Sequence, residues 1–189
     1  VFPTNAFREY DGKRVEGILG VNVLRHFDLS FDLNNRVLQL YQNRTLNQNA
    51  DRVSIPFKSN VQPGFVEFEI HINGEPVQAI LDSGAKRNIL NWKAANALGI
   101  TQKHPGVEKR QKNSKGIDGV GGVDTYDYTF NQVQLGTTTL QNTATKIVDY
   151  PIFDMLGIGD GPAMLVGLEI FKHCQVKINY STNQLVFIQ

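Results

Sequence analysis

One short segment of this 189-residue chain combines residue types that could carry out acid–base chemistry. The apolar residues 79–81 lead into Asp82, which is followed by Ser83, Gly84 and Ala85. This pattern predicts a buried strand that ends at the carboxylate, followed by a tight turn that Gly84 permits. We expect the Ser83 hydroxyl and backbone N–H groups to hydrogen-bond the Asp82 carboxylate and hold it ionised. The alternative is an ordinary β-turn, because Asp, Ser and Gly are all common turn residues.

Composition and charge exclude several other kinds of function. The chain has 19 Lys and Arg against 18 Asp and Glu, so its formal charge of +1 excludes a strong electrostatic footprint for nucleic acid or anionic membranes. A hydrophobic content of 41% excludes a disordered chain. The single cysteine, Cys174, excludes an intramolecular disulfide framework and a zinc site built from several cysteines. No apolar run reaches the ~20 residues that a membrane-spanning helix needs.

The elements that must position the Asp82 turn are organised by an internal repeat. Residues 18–32 align without a gap with residues 165–179, at an offset of 147 positions, and the match continues to the last residue. Gly20 aligns with Gly167, and apolar positions align with apolar positions. Each copy predicts one or two helical turns after the glycine, then a strand of alternating apolar residues, a polar turn and a returning strand. We therefore expect each copy to close a lobe with a β-hairpin.

The repeat and the local composition divide the chain into three parts. Residues 1–42 contain the first copy and predict the C-terminal part of a first lobe. Residues 43–60 are rich in Asn, Gln, Arg and Asp, which is typical of a linker. Residues 61–189 predict a complete second lobe, in which strands dominate. The predicted fold class is all-β with a few short helices.

The second lobe also contains one predicted helix and one predicted loop. Residues 92–98 have a helical pattern, with Asn91 as the N-cap and Gly99 just past the C-terminal end. The segment 151–162 is punctuated by Gly and Pro and predicts a loop.

A set of short motifs follows one another along the second lobe. In order, they are the Asn73-Gly74 turn, Asp82-Ser83-Gly84-Ala85, Ile89-Leu90, a helix that ends at Leu98-Gly99, the Gly-rich stretch Ile117–Gly122, and Leu165-Val166-Gly167. Together these motifs resemble the retropepsin-like branch of the aspartic proteases, and the resemblance covers nearly the whole second lobe. It implies lobes built like the β-barrels of retropepsin-like and pepsin-like acid proteases.

The resemblance also implies a mechanism. Two Asp carboxylates, one from each lobe, flank a water molecule and share one proton; the ionised carboxylate acts as general base and the protonated one donates to the scissile carbonyl. This chemistry needs no metal and no cofactor, and the substrate is an extended peptide or protein segment. The Gly-rich hairpin is the lid that covers the peptide. The residues to which the resemblance gives a catalytic, positioning or binding role are Asp82, Ser83, Gly84, Ala85, Gly119, Val120, Gly121 and Gly122.

The sequence departs from this family pattern in one respect. A complete site needs two Asp-Ser/Thr-Gly turns, and the chain contains one. The repeat offset places the equivalent turn of the first lobe 147 residues before Asp82, which is ahead of Val1. The second Asp is therefore expected from a missing N-terminal half of the same precursor, or from a second copy of the chain in a homodimer. The partial first lobe at residues 1–42 argues against the homodimer.

Several alternatives remain open from the sequence. The chain could be a catalytically inactive module that keeps the fold and binds a peptide or polymer. A start at Val1 also fits a product of self-cleavage. His26 and His173 occupy equivalent repeat positions but lack the neighbours of a metal site, and Cys174 is expected to be a buried thiol. The location is unknown, and we expect a periplasmic or extracellular one because no intracellular partner signal is visible.

Overall fold

The computed structural model describes residues 9–10, 12–14, 17–42, 52–60, 63–110, 123–172 and 174–188. Its strands are β1 Glu9–Tyr10, β2 Lys13–Arg14, β3 Asp28–Asp32, β4 Val37–Tyr41, β5 Arg52–Pro56, β6 Glu67–Ile72, β7 Glu75–Asp82, β8 Asn88–Leu90, β9 Glu108–Lys109, β10 Tyr126–Leu135, β11 Thr138–Ile147, β12 Ala163–Gly167, β13 Gln175–Asn179 and β14 Gln184–Ile188. Its helices are α1 Val21–Leu24, α2 Trp92–Ala97 and α3 Ile152–Met155, with a 3₁₀ helix over Leu168–Phe171. The fold is all-β with short helices, as predicted. Within these ranges, no helix is long and apolar enough to cross a membrane.

The second lobe is a closed barrel. Strand β6 pairs with β7, β7 pairs in parallel with β12, and β12 pairs with β8. Strand β8 then pairs in parallel with β11, β11 pairs with the long β10, and β10 returns to β6. Closure leaves an interior that side chains fill, and Ile70, Phe130, Val133 and Met164 are completely buried there.

A second sheet joins the two copies of the repeat. Its order is β4-β3-β13-β14-β5, and every pair of neighbours is antiparallel. At the centre of the β3–β13 ladder, Ser30 pairs with Lys177, which is its own equivalent in the repeat. Because an antiparallel ladder has a local two-fold axis through such a pair, the two copies are related by a two-fold axis at this point.

The two copies have the same local structure, position by position. The β3–β4 and β13–β14 hairpins close with registers that differ by the offset of the repeat. The left-handed φ of Arg36 (56°) recurs at its equivalent Asn183 (52°). Helix α1 and the 3₁₀ helix begin and end at equivalent residues, and each follows an extended glycine, Gly20 or Gly167. The sequence repeat is therefore a structural duplication.

Two turn and cap predictions are confirmed in detail. Asn73 and Gly74 both have positive φ (51° and 90°), which is what a two-residue hairpin turn requires. The side chain of Asn91 accepts a hydrogen bond from the N–H of Ala94 and caps α2. Gly99 follows that helix with φ at 75°, the left-handed conformation in which glycine is favoured.

Two other local predictions differ from the structure. Residues 52–56, inside the expected linker 43–60, form β5 and pair with β14; residues 43–51 lie outside the described part of the chain. The expected loop 151–162 contains α3, because Phe153 turns inward and is buried. In both cases a tertiary contact orders a segment whose own residues give a weak periodic signal.

Candidate active site

Asp82 lies at the carboxyl end of β7, where the barrel meets the two-fold-related sheet. Strand β12 runs parallel to β7, and its last residue, Gly167, is the register partner of Asp82. The apolar residues 79–81 that precede the carboxylate are buried. Asp82 itself is half-buried, while Ser83 and Gly84 are exposed. Strand β7 thus runs out of the core and ends with the Asp82 carboxylate at the surface.

Backbone amides fix the Asp82 carboxylate. The N–H of Gly84 donates to Oδ1 of Asp82 at 3.0 Å, and the N–H of Ala85 donates to the same oxygen at 3.2 Å. Ala85 N–H also donates to the Asp82 carbonyl, which closes the turn. A Cβ on Gly84 would lie 3.3 Å from Asp82 Oδ1, so glycine permits this close approach. These hydrogen bonds hold the orientation of the carboxylate.

A backbone clamp holds the Asp82 turn from behind. The N–H of Leu168 donates to the carbonyl of Ala85, and the N–H of Glu169 donates to the carbonyl of Lys86. The buried side chain of Asn88 accepts from the N–H of Gly167 at 3.1 Å. The segment that follows Asp82 is therefore tied to the glycine that begins the 3₁₀ helix.

A cavity of about 350 Å³ opens in front of Asp82. Its walls come from both copies of the repeat: Ile18 and Leu19 from the first copy, Leu165 and Ile178 from the second, beside Asp82 and Gly84 of the turn. Apart from the Asp82 turn, the wall is mostly apolar. A larger cavity of about 580 Å³ elsewhere in the described chain does not include Asp82.

The strands on either side of the predicted lid form the base of a hairpin. Strand β9 pairs antiparallel with the start of β10, which joins residues 108–109 to 126–127. Lys109 is hydrogen-bonded to Asp124 across this base, and that hydrogen bond raises the pKa of the lysine. Gly119, Val120, Gly121 and Gly122 lie outside the described residues, so their predicted role as a lid stays a prediction.

Two arginines connect the hairpin base to the Asp82 turn. Arg110 Nε lies 2.6 Å from Asp127 Oδ2, and Arg87 Nη1 lies 3.7 Å from Asp127 Oδ1. Arg87 belongs to the loop that follows Asp82. Asp127 is therefore shared by the hairpin base and the loop that follows Asp82.

The structure brings together three of the predicted site residues and shows which groups hydrogen-bond the Asp82 carboxylate. Asp82, Gly84 and Ala85 form one hydrogen-bonded turn. The predicted hydrogen bonds from backbone N–H groups to the Asp82 carboxylate are present, whereas the described residues show none from the Ser83 hydroxyl. Sequence reasoning missed Asn88. In the sequence, Asn88 is marked only as a polar residue before the apolar pair Ile89-Leu90. That pattern does not indicate that its side chain binds the N–H of Gly167.

The cysteine and histidines considered as candidates for thiol or metal chemistry do not form a site in the described residues. Cys174 is buried, and desolvation raises the pKa of its thiol, which keeps it neutral and a poor nucleophile. His26 is exposed, and His173 lies outside the described residues. Among the residues with a described structure, no group of three or more His, Cys, Asp or Glu side chains could hold a metal ion.

The family model described as aspartyl protease matches residues 68–170, a range that contains the Asp82 turn, the hairpin base and the backbone clamp. The chain belongs to the aspartyl protease family. The match covers more than half of the chain. The fold and the hydrogen-bonded turn thus agree with the retropepsin-like character that the sequence motifs indicate.

Individual proteins of known sequence or structure are similar to this aspartyl protease family member. The chain is 29% identical over 129 residues to DNA damage-inducible protein 1 of Kluyveromyces lactis, covering 68% of this chain and 27% of that protein. It superposes on a retropepsin-like aspartic protease from Rickettsia conorii with a TM-score of 0.51 and 15% identity, covering 76% of this chain and 95% of that one. The retroviral protease-like domain of Ddi1 from Leishmania major gives a TM-score of 0.42 and 18% identity, covering 66% and 94%. The chain spans about a quarter of the length of the curated relative, and the structural likeness at this level of identity concerns the fold.

Proposed function

We propose that the protein is an aspartic endopeptidase in which Asp82 is one half of a catalytic dyad. The observation that carries the proposal is the position of the Asp82 carboxylate, which two backbone amides hold at the mouth of a cavity lined by both repeat copies. The second carboxylate comes from another lobe, either from a missing N-terminal half of the precursor or from a second copy of the chain.

The proposed reaction is the one that the resemblance to aspartic proteases implies. The ionised carboxylate accepts a proton from a water molecule while the water oxygen bonds to the scissile carbonyl carbon. The protonated partner carboxyl gives its proton to the carbonyl oxygen, forming a neutral tetrahedral diol. Return of a proton to the amide nitrogen then breaks the C–N bond and releases the amine product. The amides of Gly84 and Ala85 keep Asp82 oriented throughout.

The substrate we propose is an extended peptide segment of a protein. An extended chain can lie across the apolar cavity wall and pair its backbone with the hairpin and nearby strand edges. Self-processing of a precursor and a periplasmic or extracellular location stay predictions from the sequence.

Replacement of the carboxylate tests the function. Asp82→Asn keeps the size of the side chain but removes the base, so cleavage of an unfolded protein substrate at acidic to neutral pH should fall roughly 10²–10⁴-fold. The assay uses the chain in the assembly that supplies the second carboxylate, and a pepstatin-like inhibitor should block the activity of the unmodified protein. Asp160→Asn, at an exposed carboxylate paired with Lys93, is the control and should leave the rate unchanged. Cleavage that survives Asp82→Asn contradicts the proposal.

A further inference from the structure

A cavity of about 580 Å³ lies between strand β11 and the 3₁₀ helix, outside the Asp82 turn. One wall is β11 over residues 140–144, and the other is formed by Glu169, Ile170, Lys172 and Cys174. We call this cavity the β11 groove. Its volume lies within the range of about 300–1,000 Å³ that is typical of ligand-binding pockets.

Strand β11 has a free edge at this groove. On one side β11 pairs with β10 from residue 138 to residue 147, but on the other side it pairs with β8 only over residues 145–147. In the described chain, no backbone hydrogen bond joins residues 140–144 to an element other than β10. An unpaired strand edge presents N–H and C=O groups that another extended backbone can bind. The edge is therefore a template for an added strand.

The clamp behind Asp82 explains why β8 does not cover this edge. Ahead of β8, the carbonyls of Ala85 and Lys86 accept hydrogen bonds from the N–H groups of Leu168 and Glu169. These bonds direct the chain before β8 toward the 3₁₀ helix instead of along β11. The groove is thus the position in the sheet where β8 turns away from β11.

Asn142 interrupts β11 at the wall of the groove. Its φ of 52° is left-handed, and Asn142 and the opposing Asn131 are both missing from the β10–β11 register. The backbone at Asn142 therefore departs from the regular ladder with β10. Such a conformation is uncommon outside glycine, and residues held in it cluster at functional sites.

The groove also contains a buried hydrogen-bond donor without an acceptor. Asn88 is 3% exposed and contributes to the wall. Its Oδ1 accepts from the N–H of Gly167, whereas its Nδ2 makes no hydrogen bond with any described residue. A buried N–H group without a partner costs free energy, so a ligand carbonyl that accepts from Nδ2 is favoured.

The charges of the wall indicate the chemistry of the ligand. Among the described residues that line the groove, the charged ones are Glu169 and Lys172, whose formal charges cancel. The wall therefore favours a ligand without net charge over an anion or a cation. Leu140 and Ile170 add apolar surface beside the amide side chains and the strand edge. A neutral, extended peptide has the matching donors, acceptors and apolar side chains.

We propose that the β11 groove is an accessory binding site for an extended, uncharged peptide segment of another protein. The segment adds as a strand to the edge of β11 at residues 140–144 and places an apolar side chain against Leu140 and Ile170. One of its carbonyl groups accepts a hydrogen bond from Nδ2 of Asn88. The site is separate from Asp82, and the inference does not depend on the proposed function.

Thiol labelling on β11 tests the site. Cys174, the one cysteine of the chain, is first replaced by Ala to remove the background thiol. Ala144→Cys then places an exposed thiol at the groove wall, and Thr139→Cys places one on the same strand outside the groove. The probe is the peptide acetyl-Thr-Val-Leu-Val-Thr-amide, used at up to about 1 mM so that weak binding is detected. The control probe is the same peptide with every internal amide N-methylated.

The unmodified probe should slow labelling at position 144 roughly fivefold or more at saturation and leave labelling at position 139 unchanged. The methylated probe should not protect position 144, because its backbone cannot donate to a strand edge. An unchanged rate at position 144 overturns the inference. Equal protection by the methylated probe also overturns it, since binding would then not involve strand pairing. Protection that rises with protein concentration in the absence of probe does the same, because a second copy would be the occupant.

Two larger side chains test the site without a reporter thiol. Ala144→Trp fills the groove and should weaken binding of a fluorescently labelled probe roughly tenfold, whereas Thr139→Trp should leave binding unchanged. Both positions are exposed, so both variants should keep a melting temperature within about 2 °C of the parent. Equal affinity in the two variants contradicts the inference.

Replacement of Asp82 separates this site from the proposed function. Asp82→Asn removes the proposed catalytic base but lies outside the β11 groove, so it should bind the probe with the affinity of the parent. Retained binding together with lost peptidase activity supports two separate sites. Loss of probe binding in Asp82→Asn would mean that the probe occupies the cavity in front of Asp82, and it would overturn the inference.

Discussion

At the scale of the residue, the site depends on small groups that let backbones approach each other. Asp82 receives two amide hydrogen bonds because Gly84 leaves room beside its carboxylate. The turn stays in place because the loop that follows Asp82 lies against Gly167, whose neighbours are the carbonyls of Arg87 and Ala85. The tertiary structure therefore requires a glycine at position 167, because a Cβ there would clash with backbone atoms. The backbone conformation at this position (φ −79°) would by itself accept any residue.

A single methyl group tests this requirement at two equivalent positions. Gly167→Ala should lower the free energy of unfolding by about 1–3 kcal/mol, because the new Cβ meets backbone atoms that cannot move independently. Gly20→Ala is the matched control, because its Cβ meets only the end of the Asn22 side chain, which can turn away. Urea denaturation of both variants measures the difference. Equal losses at the two positions would contradict the clamp assigned to Gly167.

At the scale of the element, one buried amide joins the helix, the barrel and a loop. The Asn91 side chain accepts from the N–H of Ala94 at the start of α2 and from the N–H of Ala163 at the start of β12. Its amide nitrogen donates to the carbonyl of Gly161 at 2.8 Å. The residue predicted as a helix cap therefore also sets where β12, the strand that ends at Gly167, enters the barrel.

Removal of that amide should have a large effect on stability. Asn91→Ala leaves buried backbone groups without partners and should lower the free energy of unfolding by about 2–4 kcal/mol. Asn96→Ala, at an exposed position of the same helix, should change it by less than about 0.5 kcal/mol. Thermal and urea denaturation of the two variants make the comparison. A loss at Asn91 no larger than that of a simple helix cap would mean that the contacts with β12 and Gly161 contribute little.

At the scale of the whole molecule, the two-fold sheet is fastened to the barrel by side chains of its hairpin turns. The Tyr180 hydroxyl donates to the carbonyl of Gly64, which lies just ahead of the barrel, and its ring contacts Phe57 edge to face. Asp28 of the first copy accepts from the backbone and hydroxyl of Ser181 in the second. The Tyr180–Gly64 hydrogen bond joins the sheet to the lobe that carries Asp82, and the Asp28–Ser181 hydrogen bonds join the two repeat copies within the sheet.

Tyr180 should make the stability of the whole fold depend on pH in the alkaline range. Burial raises the pKa of Tyr180 from its ordinary value of 10.0 to about 12. The folded state therefore keeps a proton that the unfolded state releases, so stability should fall as pH rises between about 10 and 12 and level off above that range. Tyr180→Phe should reduce this slope, and at neutral pH it should lower stability by about 1 kcal/mol through the lost hydrogen bond. Urea denaturation at several pH values measures both, and equal alkaline slopes in the two proteins would count against a buried, neutral Tyr180.

The features that the sequence predicts correctly are those that depend on interactions between neighbouring residues. The Asn73-Gly74 turn, the Asn91 cap and the Asp82 turn all depend on residues close together in the chain, and each is recognisable from spacing and residue type. The repeat is recognisable because the same residue types recur in the same order 147 positions later. Strand β5 is different, because residues 52–56 become ordered by pairing with β14 across a long separation in sequence. Helix α3 was likewise expected to be a loop and forms because Phe153 is buried.

What the sequence by itself determined is the duplicated hairpin, the all-β class and the carboxylate at a glycine turn, since periodicity and turn chemistry act over a few residues. The tertiary structure alone decided that Asn88 and Gly167 clamp the loop behind Asp82, and that Asp127 ties that loop to the hairpin base. It also decided that Leu185 and Phe187 of the second copy are buried, whereas their equivalents Leu38 and Leu40 in the first copy are exposed. Burial depends on strands that arrive from distant parts of the chain, and a sequence repeat cannot show that one copy has those neighbours and the other lacks them.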